Sequence, residues 1–137
     1  MDECERLQRI QEVVDDIAAR AEGGAVILVE GLRDRDSMKS LGIEGNIVMT
    51  SQEPLFNLAE RVSRQSMDVI VLTDWDERGE EVARNVDAYL KSNGSRPDME
   101  PRKKLRFLTK KEVKDVESLH GYIVRLRREC SIKPQYY

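Results

Sequence analysis

The run Val69-Ile70-Val71-Leu72, continued by Thr73-Asp74-Trp75-Asp76-Glu77-Arg78-Gly79, constrains this chain more than any other stretch. Four consecutive aliphatics suit a strand buried on both faces, as at the centre of a parallel sheet. A second run, Ala25-Val26-Ile27-Leu28-Val29, ends in the same manner, in Glu30-Gly31. If both strands lie in one parallel sheet, Glu30, Asp74 and Asp76 gather at its carboxyl edge, where open α/β sheets bind ligands. Residues two apart on an extended strand end point to one side, so Asp74 and Asp76 can reach a common cation. Three carboxylates in one crevice repel one another unless a cation sits among them. Mg²⁺, which accepts one or two carboxylates and completes its shell with water and phosphate oxygens, is the expected ion, with Mn²⁺ as its substitute.

The remaining pattern alternates helix and strand. Leu7, Ile10, Val14, Ile17 and Ala21 recur at helical spacing, predicting an N-terminal helix over residues 2–21 that Gly23-Gly24 ends. Gly31 suits a sharp turn or a close backbone approach to a ligand. Asp34 or Asp36 is expected to cap a short helix that stops at Gly42. Residues 46–50 read as the second strand, followed by a helix with Pro54 in its first turn and an apolar stripe of Leu55, Leu58, Ala59 and Val62. Glu77, Glu80 and Glu81 suit the first turn of a long helix after the third strand. Residues 92–101 read as a loop, Leu105-Arg106-Phe107-Leu108 as a fourth strand, and Thr109 with Glu112 as a capping box opening the last helix. The prediction is a single domain over residues 1–137. It is an α/β fold with a four-stranded parallel sheet, helices on both faces, extra N- and C-terminal helices, and strand order 2-1-3-4.

Composition restricts the class further. No apolar run approaches the roughly 18 residues of a membrane span, and the acidic start Met1-Asp2-Glu3-Cys4-Glu5 does not resemble a signal peptide. A cytoplasmic protein is expected. Cys4 and Cys130 are expected to be free thiols, with a bridge between the chain ends as the lesser option. With only His120 and no Cys-x-x-Cys pair, zinc or Cys/His chemistry is poorly supported. The net charge of -3 hides an asymmetry: residues 1–100 carry 12 Lys/Arg against 22 Asp/Glu, and residues 101–137 carry 11 against 4. A basic surface beside an acidic one suits a metal-dependent protein of nucleic acids, and a solvated helix face is the plainer reading. The amphipathic terminal helices also offer a face for a second copy of the chain or a partner protein.

Three common phosphate sites do not fit. Asp76-x-x-Gly79 lacks the G-x-x-x-x-G-K-[ST] loop a GTPase needs. An aspartyl phosphotransferase would place Asp where the first strand has Glu30. A dinucleotide fingerprint would follow the first strand, whereas Gly23-Gly24 precede it.

A strand ending Val29-Glu30-Gly31-Leu32-Arg33-Asp34, then a strand ending T-D-x-D-x-x-G from Thr73 to Gly79, resembles the Toprim domain over about residues 24–110. The size and layout are similar to the small, stand-alone, primase-like Toprim proteins of archaea. The resemblance implies making or breaking of nucleic-acid phosphodiester bonds, by a nuclease or a nucleotidyl transferase acting on DNA or RNA. It implies Glu30 as general acid/base or metal ligand and Asp74 and Asp76 as Mg²⁺ ligands. Asp34 would be the supporting acidic residue, and Gly31 and Gly79 the backbone glycines. Arg33 and the basic residues of the last helix, Lys110, Lys111, Arg125 and Arg128, are candidates to hold a phosphate backbone. Two other readings stand beside this one. One is a non-catalytic nucleic-acid-binding or scaffold protein with a structural or vestigial metal site; the other is hydrolysis of a small phosphate compound.

Overall fold

The computed structural model describes residues 1–109 and 112–132. Its first element, helix α1 (Glu3–Glu22), is capped by the Asp2 carboxylate, which accepts from the Glu5 N–H at 2.8 Å. The helix buries Ile10, Val14, Ile17 and Ala21, the stripe its spacing predicts, and gives way to Gly24 at φ +106°, backbone that favours glycine. Four short strands follow: β1 (Val26–Val29), β2 (Asn46–Met49), β3 (Asp68–Val71) and β4 (Arg96–Asp98). All pairings are parallel and the order is β2-β1-β3-β4, as predicted. The registers Val26↔Val69 and Leu28↔Val71 put the ends of β1 and β3 side by side.

Helices cover both faces. Helices α3 (Leu55–Gln65) and α4 (Glu77–Ser92) pack on one, with Val26, Leu28, Val69 and Val71 facing Leu58, Val62, Ala83 and Val86. The other face carries Ile27, Val29, Ile70 and Leu72. It is covered by α1, α5 (Glu100–Thr109) and α6 (Leu119–Ile132), with Met38 of α2 (Leu32–Ser40) in the same cluster. The alternation of strand side chains between two apolar layers is what an uninterrupted aliphatic strand requires.

The structure corrects several expectations for the second half of the chain. Residues 105–108 form no strand: Leu105 and Leu108 are buried at helical spacing on α5, while Phe107 points outward, 70% exposed. The fourth strand is Arg96–Asp98, inside the stretch read as a loop, and Pro97 is tolerated because β4 is the sheet edge. Thr109 closes α5 instead of capping the last helix, and α6 begins only at Leu119. Finally, Cys4 and Cys130 form a disulfide, their Cα atoms 5.5 Å apart across 126 residues of sequence. The packing of α1 against α6 brings Cys4 and Cys130 together, which no reading of isolated cysteines could supply. Closing so long a loop removes unfolded-state entropy worth about 4–5 kcal/mol on a chain-entropy estimate. Among the described residues no helix is long and apolar enough to cross a membrane.

Candidate active site

Two strand ends and two helix starts build the site. After β1, Gly31 begins α2 in extended backbone (φ -146°, ψ -173°), and a Cβ there would meet open space, so this turn does not require glycine. Asp34, 6% exposed, turns back to accept from the Gly31 N–H at 2.9 Å. It sits inside the first turn of α2, where it satisfies a backbone donor that the helix leaves without a partner. Burial, more than the neighbouring Glu30 charge, pushes its carboxyl above the usual range.

The loop after β3 is held from three sides. Asp76 is the N-cap of α4, its Oδ1 accepting from the Gly79 N–H at 2.7 Å. Thr73 Oγ1 donates to the Gly79 carbonyl at 2.8 Å. This double contact presses Gly79 against Asp74: an added Cβ would lie 1.8 Å from the Asp74 carbonyl oxygen. The turn therefore demands glycine for space, since any side chain would collide with backbone.

On the opposite side lies Arg102 of α5, only 2% exposed. Its Nε donates to the Thr73 carbonyl at 2.9 Å, its Nη2 to the Asp74 carbonyl at 2.5 Å, and its Nη1 pairs with Glu80 at 3.1 Å. Sequence reasoning misses this residue because it lies among basic residues that suit solvent. The usable signal is its spacing: on a helix, Arg102 shares a face with Leu105 and, two turns on, with Thr109, both buried.

A strap formed by residues 112–118 closes the third side. Trp75 donates its indole N–H to the Val113 carbonyl at 2.6 Å and its backbone N–H to the Lys114 carbonyl at 3.0 Å. The Val116 N–H donates to Asp74 Oδ1 at 2.9 Å. Trp75 is buried and so packs beside the site instead of offering a ring to a base.

Glu30 and Asp74 meet at the centre. Glu30 Oε2 accepts from the Asp74 N–H at 3.0 Å, and the two carboxyl groups lie within hydrogen-bonding reach of each other. Burial first, and then the contact with Glu30, push the Asp74 carboxyl up to about 8, although the Val116 N–H acts in the opposite sense. Crowding of two carboxyl groups favours a proton or a cation between them. Asp76 is exposed and committed to its cap. Among the described residues no three Asp, Glu, His or Cys side chains converge as a ready cation site. The chemistry of the Glu30–Asp74 pair fits a divalent ion, and the Asp76 cap engages only its Oδ1 among the described contacts.

The expected phosphate contacts are less uniform. Arg33 is exposed and pairs with Glu117 at 3.2 Å. Arg125 is engaged by Glu112 at 3.4 Å and Glu129 at 3.7 Å and lies 5.1 Å from the centre of the Tyr122 ring. Arg128 is exposed on α6, while Lys110 and Lys111 lie outside the described residues.

Fold and site together define an α/β protein whose parallel sheet collects carboxylates at its carboxyl edge. By sequence, the chain belongs to the UPF0292 family. It is 45% identical over 122 residues to the UPF0292 protein Mbar_A0484 of Methanosarcina barkeri, a match spanning 89% of this chain and 85% of the relative. Against the UPF0292 protein of Thermococcus gammatolerans the identity is 37% over 123 residues, spanning 90% of each. A solved protein from Aquifex aeolicus superposes with a TM-score of 0.66 at 27% identity, over 78% of this chain and 94% of that one. No family model matches the chain.

Proposed function

We propose that this chain is a Toprim-type protein that carries out Mg²⁺-dependent phosphodiester chemistry on nucleic acid, cutting or transferring strands. The observation that carries the reading is the Glu30–Asp74 pair at adjacent parallel strand ends, with Glu30 Oε2 accepting from the Asp74 N–H at 3.0 Å and the Asp74 carboxyl strongly raised. A carboxyl group raised by burial and a specific charged neighbour at a sheet's carboxyl edge is the kind of perturbation that functional sites carry. Glu30 and Asp74 would hold the ion, with Asp76 as a further ligand. Mg²⁺, or Mn²⁺, would supply charge neutralisation at the phosphate and at the departing oxygen. Glu30, partly exposed at the strand end, would take or return the proton of the attacking water or hydroxyl. Arg102 fixes the backbone of the loop that carries Asp74 and thereby its position against Glu30.

Incubation with labelled structured RNA, single-stranded DNA and duplex DNA, in Mg²⁺, Mn²⁺ or EDTA, tests this directly. Metal-dependent cleavage or joining is expected, reduced on the order of 100-fold or more by Glu30→Gln. Full activity in Glu30→Gln, or activity indifferent to EDTA, would sink the proposal.

One observation favours a second reading, a nucleic-acid-binding module without turnover. Asp76 is used as a helix cap, and the Val116 N–H occupies Asp74 Oδ1, so the carboxylates are partly committed to structure. That reading expects salt-sensitive binding and no change to any polymer in the same experiment.

A further inference from the structure

The helical, not extended, state of residues 105–108 moves a set of basic side chains. On α5, Arg102 and Arg106 stand one turn apart and face α4, with Lys103 beside them. Between the two helices runs a groove of about 230 Å³, lined on the α4 side by Glu80, Arg84 and Asp87 and on the α5 side by these three basic residues.

Its charges do not cancel. Glu80 serves two guanidiniums at once, Arg102 at 3.1 Å and Arg106 at 2.6 Å. Asp87 is taken by Lys91 at 3.1 Å. Among the described residues Lys103 pairs only with Glu100, at 3.6 Å, with both side chains more exposed than buried. Arg84 is exposed and has no hydrogen-bond or ion-pair partner among the described residues. With their partners included, three carboxylates (Glu80, Asp87 and Glu100) face three guanidiniums and two ammonium groups, and the surplus is positive.

Through Arg102 the groove also touches the backbone of the loop that carries Asp74. The guanidinium of Arg102 that touches Glu80 is the one that donates to the Asp74 carbonyl. Glu80 lies about one helical turn from Asp76. By contrast, Arg125 on α6, where the sequence alone puts the nucleic-acid surface, already has acidic partners on two sides.

We infer that the α4–α5 groove is the seat of a nucleic-acid phosphate backbone, held by Arg84, Lys103 and Arg106 beside the loop that carries Asp74. The assignment rests on the reading of the polymer as nucleic acid. Contacts of this kind position a strand without reading its sequence and weaken steeply with salt.

Fluorescence anisotropy with labelled single-stranded and duplex oligonucleotides across a salt series tests the groove. Three proteins are compared: wild type, Arg84→Glu/Lys103→Glu, and Arg125→Glu/Arg128→Glu, each checked for an unchanged thermal unfolding curve. All four substituted residues are surface positions, so the fold is expected to survive. Arg84→Glu/Lys103→Glu should weaken binding about tenfold or more and lower the salt slope by about two, one for each phosphate no longer neutralised. Arg125→Glu/Arg128→Glu should weaken it less than about threefold at the same salt. Loss confined to Arg125→Glu/Arg128→Glu would overturn the groove and leave the nucleic-acid reading standing. Absence of binding by wild type itself would overturn both.

Discussion

Gly79→Ala is expected to destabilise the folded protein by about 3 kcal/mol, at the upper end of what overpacking costs, and to abolish metal-dependent activity. On propensity alone the change should help, because alanine is favoured over glycine inside a helix by about 1 kcal/mol. Sterics decide otherwise. The new Cβ would lie 1.8 Å from the Asp74 carbonyl oxygen and 2.4 Å from its carbon, and both are backbone atoms. No rotamer change can relieve that contact. The start of α4 must move off the Asp74 loop, breaking the bonds from Gly79 N–H to Asp76 and from Thr73 to the Gly79 carbonyl. Urea unfolding measures the cost. Stability equal to or above wild type would show that the tight packing of α4 on the loop does not constrain it.

Arg102→Met is the second large effect, expected at about 2–4 kcal/mol. The substitution keeps most of the buried volume but removes the donors to the Thr73 and Asp74 carbonyls, and each buried acceptor left without a partner costs about 1–3 kcal/mol. Glu80 retains Arg106 and remains partly in water, so its loss adds little. Arg102→Lys should recover only part of the stability, since an ammonium cannot reproduce three contacts in one plane. Beyond stability, activity measured well below the melting transition should fall in both variants, because Asp74 is no longer fixed against Glu30. Unchanged activity in a folded Arg102→Met protein would reduce Arg102 to a packing residue.

The sheet is legible because its two central strands are uninterrupted aliphatic runs ending in acid and glycine, a pattern with few alternatives. The same runs place Glu30 beside Asp74. The C-terminal third is not legible for the opposite reason. Leu105-Arg106-Phe107-Leu108 is short enough to satisfy strand or helix, and Pro97 disguises an edge strand as a loop. The D-x-D spacing makes Asp76 read as a metal ligand, although Asp-x-x-Gly with Glu77 and Glu80 in the first turn also spells a helix cap, which is what it forms. The strap of residues 112–118 and the Cys4–Cys130 bond depend on how α1, α5 and α6 pack, and no local pattern encodes that. Arg102 is hidden by its neighbours: a basic run suggests solvent, yet one member is among the most buried polar side chains.

The most direct test of the Glu30–Asp74 pair as a cation site is thermal unfolding at about pH 5 and about pH 8, in EDTA and in Mg²⁺, for wild type and Asp74→Asn. The sign follows from proton linkage. With its carboxyl raised from 3.8 to about 8 in the fold, Asp74 makes the folded state bind more protons than the unfolded chain between those values, so stability falls as pH rises through that window. In EDTA the wild-type melting temperature should drop from pH 5 to pH 8. If the pair is a cation site, Mg²⁺ should reverse most of the drop at pH 8 and do little at pH 5, because it would bind the folded state in place of the proton. Asp74→Asn should flatten both responses. A Mg²⁺ effect of equal size at both pH values, or one that persists in Asp74→Asn, would contradict a cation site at this pair.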